Sequence, residues 1–432
     1  MSTAPGEAAV AADGGFIAAL HLRDFRNCWL SSVLSGNGQW TLVVARGWLM
    51  DKLTHSAGAV GLVTFASMIP YLIATPVGGI LADRFDRRRL AAAMQGVSLF
   101  ASVGLALLVI GNGVQPWEVV ALALLAGAGR SIETPAVTSL IPNIVPSETL
   151  LNAISLNSMA NFGSRLIGPA AALGLLAAGS ISGVLLMTAG FYVLAIVLML
   201  TVHNPGHAPH ERVGVWRETR DTWTYVARTP LLPVVFALMS LHCGLTMLTD
   251  ALWPDFARSV LHSQASTYDL LVISFGAGTM IGTFSLGGLR SDVARGSVLA
   301  TTGVLSGLSM AALAFVSTPL TAFLVAALIG AAQGMYMTMG TTLVQEVVPD
   351  QLRGRVSSAY LMATGGTMSF GILAAGALAD AVSIHFVLLV PPLLFVAFVL
   401  FVSGVRPGVR GMYRTGSILQ RRQQPALAGV EP

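Results

Sequence analysis

The chain has 432 residues, of which 54% are hydrophobic and 10% charged, with a formal net charge of +4 and two cysteines. Its mean hydropathy of +0.73 excludes an ordinary soluble domain, and Cys28 and Cys243, each inside an apolar run, exclude a disulfide framework. The basic residues are scattered over many short loops rather than gathered in one domain, so no nucleic-acid partner is expected.

Residues 1–25 carry neither a basic region nor an apolar core, and are expected to be a cytoplasmic tail rather than a signal peptide. Long apolar runs then follow almost without pause. A bilayer core of about 30 Å needs roughly 20 such residues per helix, and the pattern predicts twelve spans: 26–50, 58–82, 90–111, 117–140, 151–178, 182–202, 231–256, 267–289, 297–317, 319–346, 355–380 and 384–405. Runs of this length are helices, because barrel strands would alternate in polarity over shorter segments. The fold class expected is an all-α membrane protein. Its domains are a six-helix bundle over 26–202, a cytoplasmic linker over 203–230, a second six-helix bundle over 231–405 and a cytoplasmic tail over 406–432. Nineteen of the 24 basic residues fall on the side of the N-terminus, which by the positive-inside rule places both termini in the cytoplasm. The expected location is the bacterial inner membrane, with the lipid bilayer as partner and a functional monomer.

In chain order, span 1 carries Asn37, Trp40, Thr41, Arg46 and Asp51. The next loop concentrates charge in "GGILADRFDRRRL", where Gly79, Asp83, Arg84, Arg87 and Arg88 stand. Four arginines there hold the loop in the cytoplasm, and a carboxylate at the end of span 2 is suited to the exposed N–H groups of a neighbouring helix start. Span 4, "LLAGAGRSIETPAV", sets Arg130, Glu133 and Thr134 on one face. An ionisable group there costs at least about 2.5 kcal/mol at the bilayer centre, so each is a functional candidate; a static Arg130–Glu133 pair that fixes packing is the other reading. Span 5 places Arg165 on a face with Asn157 and Asn161, followed by Gly168 and Pro169. In the linker, His203, His207 and His210 are separated by Pro205 and Pro209, which break the helix that would align them on a metal; no metal site and no cofactor are expected. Span 7 carries His242, Thr246, Asp250, Trp253 and Asp255, and span 10 carries Gln333 and Tyr336. Arg46 with Asp250 and Asp255 suggests an outer gate of opposite charges, against the plainer reading of carboxylates facing water.

The two halves repeat. "TSLIPNIVPSETL" aligns with "TTLVQEVVPDQLR" at an offset of 203, pairing Pro146 with Pro349 and Gly168 with Gly371. A second echo pairs Gly79 and Asp83 with Gly288 and Asp292 at an offset of 209. Duplicated six-helix halves are the mark of a secondary transporter that rocks its halves about a midplane site.

With these motifs, and with "FRNCWLSSVLSGNGQW" and "LNAISLNSMANFGSRLIGP", the chain resembles the major facilitator superfamily, and within it bacterial exporters such as the enterobactin and macrolide efflux proteins. The resemblance implies two pseudo-symmetric six-helix bundles. It also implies a loop latch of Gly79, Asp83, Arg84, Arg87 and Arg88 against the helix starting near Gly354, with Gly288 and Asp292 pairing likewise near Leu151. Asp86 stands where the family has a second glycine. Arg130 matches a proton-coupling position, with Glu133 and Asp250 as carboxylates that titrate. Asn161, Arg165, Gly168 and Pro169 fit the antiporter motif of span 5, although Ala172 and Leu173 replace its paired glycines. Spans 1, 4, 7 and 10 then line the cavity, with Asn37, Trp40, Thr41, Thr134, His242, Thr246, Trp253, Gln333 and Tyr336 toward the substrate. The expected function is proton-coupled export of a small amphipathic or aromatic compound, not an enzyme reaction; the lone lysine, Lys52, fits no phosphate-binding loop. An importer or flippase on the same fold is the alternative, and a transport-inactive sensor a further one.

Overall fold

The computed structural model describes residues 18–72, 81, 85–146, 149–203, 215–229, 231–263, 265–285 and 292–405. These residues form helices and connecting turns, with no strand among them. The helices are α1 (Arg23–Thr54), α2 (Ala57–Met68), α3 (Arg87–Ile110), α4 (Pro116–Ile144), α5 (Leu150–Ala177), α6 (Ile181–Leu200) and α7 (Val215–Arg228). They continue as α8 (Leu232–Leu245), α9 (Thr249–Asp255), α10 (Ala265–Ser285), α11 (Asp292–Ala312), α12 (Pro319–Val347), α13 (Asp350–Ala381) and α14 (Ile384–Val405). Each predicted span meets at least one of them. Seven helices among the described residues are long and apolar enough to cross a membrane; α1 is long, but Asn37, Gln39, Arg46 and Asp51 lower its hydropathy.

Two features were not expected. The linker contains α7, an amphipathic helix. The seventh span is broken: α8 stops at Leu245, residues 246–248 are not helical, and α9 passes into a π-helical turn over Phe256–Val260. A break inside a span frees backbone carbonyls that lipid cannot satisfy, and Gln333 Nε2 donates to the Thr246 carbonyl at 2.9 Å.

The described chain divides into two compact units that do not follow the sequence halves. One holds residues up to Arg212 together with Asp250–Gly276 and Ile372–Asp380; the other holds Val213–Thr249, Ala277–Gly371 and residues from Ala381 onward. The division therefore cuts the seventh span directly after its break. The first unit has its core at Leu90, Ala91, Leu140, Met199 and Val202, extended by Phe25, Ile141 and Leu156. The second is packed around Phe236, Tyr336, Tyr360 and Phe395. Apolar side chains such as Phe100, Leu107, Leu194, Phe315 and Phe401 are more than half exposed, the outward surface that a bilayer covers.

The internal repeat is visible in packing. A Cβ on Gly168 of α5 would lie 2.6 Å from the Asn37 carbonyl of α1. In the second unit a Cβ on Gly371 of α13 would lie 2.4 Å from the Gly244 carbonyl of α8. Positions 203 apart in sequence thus do the same work, letting one helix backbone touch another where any side chain would intervene.

Candidate functional site

The charged side chains of the first unit assemble into three groups. In the first, Arg130 of α4 donates from Nη1 to Glu133 Oε2 at 3.1 Å and to Ser35 Oγ of α1 at 3.3 Å. Its Nη2 donates to Asn161 Oδ1 of α5 at 3.2 Å. Glu133 is fully buried, its side chain 1% exposed, and its second oxygen accepts from Gln95 Nε2 of α3 at 3.0 Å, which also reaches Ser31 Oγ of α1. One carboxylate is thereby tied to four helices through a single cation and a string of neutral groups. The Thr134 hydroxyl donates to the Arg130 carbonyl at 3.0 Å.

In the second group, the Arg165 guanidinium of α5 lies over two aromatic rings, 4.4 Å from the ring centre of Trp40 of α1 and 4.4 Å from that of Phe275 of α10. Its Nη2 meets Asp250 Oδ1 of α9 at 3.2 Å. Arg165 Nε and Asp250 Oδ2 are buried with no hydrogen-bond partner, so the pair is joined by one bond where a guanidinium and a carboxylate can make two. In the third, Arg258 Nε reaches both oxygens of Asp51, at 2.9 and 3.2 Å, while Nη2 holds Asp255 at 2.6 Å.

The partners differ from those expected of a gate built on Arg46. Arg46 is buried and folds onto its own helix, Nε donating to the Leu42 carbonyl at 3.2 Å, with Nη1 unpartnered. Asp250 is instead taken by Arg165 and Asp255 by Arg258. The reason is reach: α1 curls its guanidinium back one turn, whereas α5 and the π-helical turn present theirs across the gap.

A further contact had no expected role. Asp380, near the end of α13, accepts from the backbone N–H of Ala57 at 2.8 Å and of Gly58 at 2.9 Å, and from the Ser56 hydroxyl. This is a carboxylate on a helix N-terminus, the kind of contact expected between Asp83 and the start of the eleventh span, but made at the start of α2. Gly79, Asp83, Arg84 and Gly288 lie outside the described residues, as does the side chain of Asp292. Of the charged knot, Asp86 caps α3, accepting from Arg88 N and Arg89 N at 2.9 and 3.2 Å. That is a physical use for the residue standing at the family's glycine. Arg87 Nη1 donates to the Ser139 carbonyl at 2.5 Å, and Arg88 Nη1 to the Val202 carbonyl at 2.9 Å, so these arginines also cap the ends of α4 and α6.

The residues expected along a cavity are mostly buried. Asn37, Thr41, His242, Thr246, Trp253, Gln333 and Tyr336 are at most 5% exposed. His242 Nε2 lies 2.9 Å from Ser306 Oγ, and its ring is 4.5 Å from that of Tyr336. Gly168 presses on Asn37 and Thr41, and Pro169 lies inside α5. Sequence reading passed over Asp269 of α10, which is 0% exposed with neither carboxylate oxygen hydrogen-bonded. The signal was available, since it is an acid inside a predicted span. No group of three metal-binding side chains occurs among the described residues.

Comparison with known proteins bears on the family and the fold. The family described as transmembrane secretion effectors matches residues 15–411. The multidrug efflux pump Tap of Mycolicibacterium fortuitum is 25% identical over 373 residues, covering 82% of this chain and 89% of that one. Macrolide efflux protein A of Streptococcus pyogenes is 21% identical over 369 residues, covering 84% and 90%. Among solved structures, the nucleoside transporter NupG superposes with a TM-score of 0.72 at 13% identity, covering 90% of this chain and 98% of that one. A D-xylose-proton symporter does so with a TM-score of 0.66 at 14% identity, covering 90% and 98%. Helices matching all the predicted spans, paired glycines doing equal work in the two units, and a family match over nearly the whole length lead to one assignment: the chain belongs to the transmembrane secretion effector family of major facilitator superfamily transporters.

Proposed function

We propose that this transporter is a proton-coupled exporter of small amphipathic or aromatic compounds, working as a monomer in the bacterial inner membrane with both termini in the cytoplasm. The export direction is supported by likeness to efflux pumps over more than four-fifths of both chains. Coupling is supported by one observation above all: Glu133 is buried in a span and held by one cation, Arg130, and one neutral amide, Gln95. Protonating such a carboxyl leaves Arg130 as an unbalanced buried charge, and a rearrangement that frees Arg130 lowers that cost. A proton arriving from outside therefore biases the helix contacts among α1, α3, α4 and α5. One charge moving through 100 mV supplies roughly 2.3 kcal/mol to that step. In this reading Asn37, Trp40, Thr41, Thr134, His242, Thr246, Trp253, Gln333 and Tyr336 meet substrate when the helices move. Asp83 and Asp292 latch the cytosolic side closed and release when the halves rock inward.

The test is transport by purified protein in sealed liposomes with an imposed pH gradient, against a panel of dyes, macrolides and siderophores. Solute movement opposite to the proton flow, abolished by an uncoupler, is the expected result. Movement in the same direction as protons establishes an importer instead, and no movement of any solute under any ion gradient overturns the proposal.

A further inference from the structure

We infer that Trp40, Phe275 and Asp250 form a binding site for an organic cation, and that Arg165 occupies it in the resting protein as a tethered stand-in for the substrate. The inference rests on the transport reading above and names the substrate class it implies. The walls come from three elements: Trp40 from α1, Phe275 from α10 and Asp250 from α9, with the guanidinium of Arg165 reaching in from a fourth, α5. Two aromatic rings with centres 4.4 Å from a planar cation, and a carboxylate in contact with it, are the elements that recognise delocalised or alkylated cations in general.

The way Arg165 is held argues that it is replaceable. It makes one contact to Asp250 at 3.2 Å, and both its Nε and Asp250 Oδ2 are left without a hydrogen bond. A pair retained only for packing gains by closing the second bond, whereas this one leaves half the carboxylate for another ligand. None of the three wall side chains comes from α5, so a rotamer change in one long side chain vacates the site with aromatic rings and carboxylate in place. The side chains of Arg165 and Asp250 are 15% and 8% exposed, Trp40 is half-buried and Phe275 is buried, so access to the cluster is from the Trp40 and Arg165 side. An aromatic or alkylated cation carries a weaker hydration shell than an ammonium ion, and exchanges for a guanidinium over the rings at small cost.

The experiment is equilibrium binding of tetraphenylphosphonium, a monovalent aromatic cation, to the purified full-length protein in detergent, with neutral chloramphenicol as comparator. Wild type is expected to bind the cation, and Arg165→Gln, which removes the tethered competitor, to bind it at least tenfold more tightly. Asp250→Asn is expected to weaken it at least tenfold, and Trp40→Leu and Phe275→Leu severalfold each, with chloramphenicol binding moved less than twofold. Where a single charge removal prevents folding, the double variant Arg165→Gln/Asp250→Asn removes both charges and is expected to bind the cation at least tenfold more weakly than wild type. Cation binding that Arg165→Gln leaves unchanged or weakens, or that survives Asp250→Asn, overturns the inference. Liposomes that move no solute at all overturn the transport reading instead, and binding in detergent separates the two failures.

Discussion

Replacing Asp380 by alanine should loosen the start of α2 by a measurable factor. Its carboxylate accepts two backbone N–H groups and one hydroxyl; hydrogen bonds to a charged group contribute about 1.5–3 kcal/mol each when buried. Asp380 is exposed and Ser56 and Gly58 are partly exposed, so solvent takes over part of that work, and Ser56 Oγ keeps its bond to Ala59 N at 3.0 Å. A net loss of about 1.5–3 kcal/mol follows, equivalent to roughly 10–100-fold in a local opening equilibrium. Hydrogen exchange measured on the purified protein at Ala57 and Gly58 reads this directly. Exchange there should accelerate by that factor in Asp380→Ala and by less in Asp380→Asn, which retains one acceptor. Because Gly376 of α13 packs on the Ala57 carbonyl, exchange in 372–380 should accelerate with it. Exchange at Ala57 and Gly58 within a factor of two of wild type, in a variant that remains folded, would refute the reasoning.

Glu133→Gln preserves the shape of the Arg130 network while removing the carboxyl proposed to couple transport to protons; gradient-driven transport in liposomes should fall at least tenfold while downhill exchange of the same solute persists, and equal loss of both would assign the pair to packing. Gly168→Val and Gly371→Val each force a side chain into a backbone carbonyl, and should cost about 1–3 kcal/mol or prevent folding, read as a lowered Tm. Gly174→Val, where nothing lies within 4 Å, should change Tm far less. Asp269→Leu removes a buried carboxyl that no donor satisfies, so Tm should hold or rise, since an apolar group of similar volume in such a place is neutral or stabilising. A drop of several degrees would reveal a donor for Asp269 in the working protein.

Much of this protein was legible in its residues alone. The helical class and the approximate bounds of most helices came from hydropathy, because a bilayer tests each segment of roughly 20 residues nearly by itself. The duplication was readable at Gly168 and Gly371 because both copies need the same close approach, and a side chain is excluded from both by the same geometry. Arg130, Glu133, Arg165 and Asp250 stood out because a charge inside a span is costly wherever it points.

The Arg130–Glu133 pair, within one helix, was legible; partner choice between helices was not. Arg46 and Asp250 seemed matched by depth, yet Asp250 pairs with Arg165, Asp255 and Asp51 share Arg258, and Arg46 folds onto its own helix. Asp380 has no local signature as a cap, because the N–H groups it satisfies lie more than 320 positions away. Hydropathy is a property of one segment and adds along the chain, so sequence determines which segments enter the membrane. An ion pair or cap depends on distances of a few ångströms between segments far apart in the chain, and only the packed tertiary structure decides those.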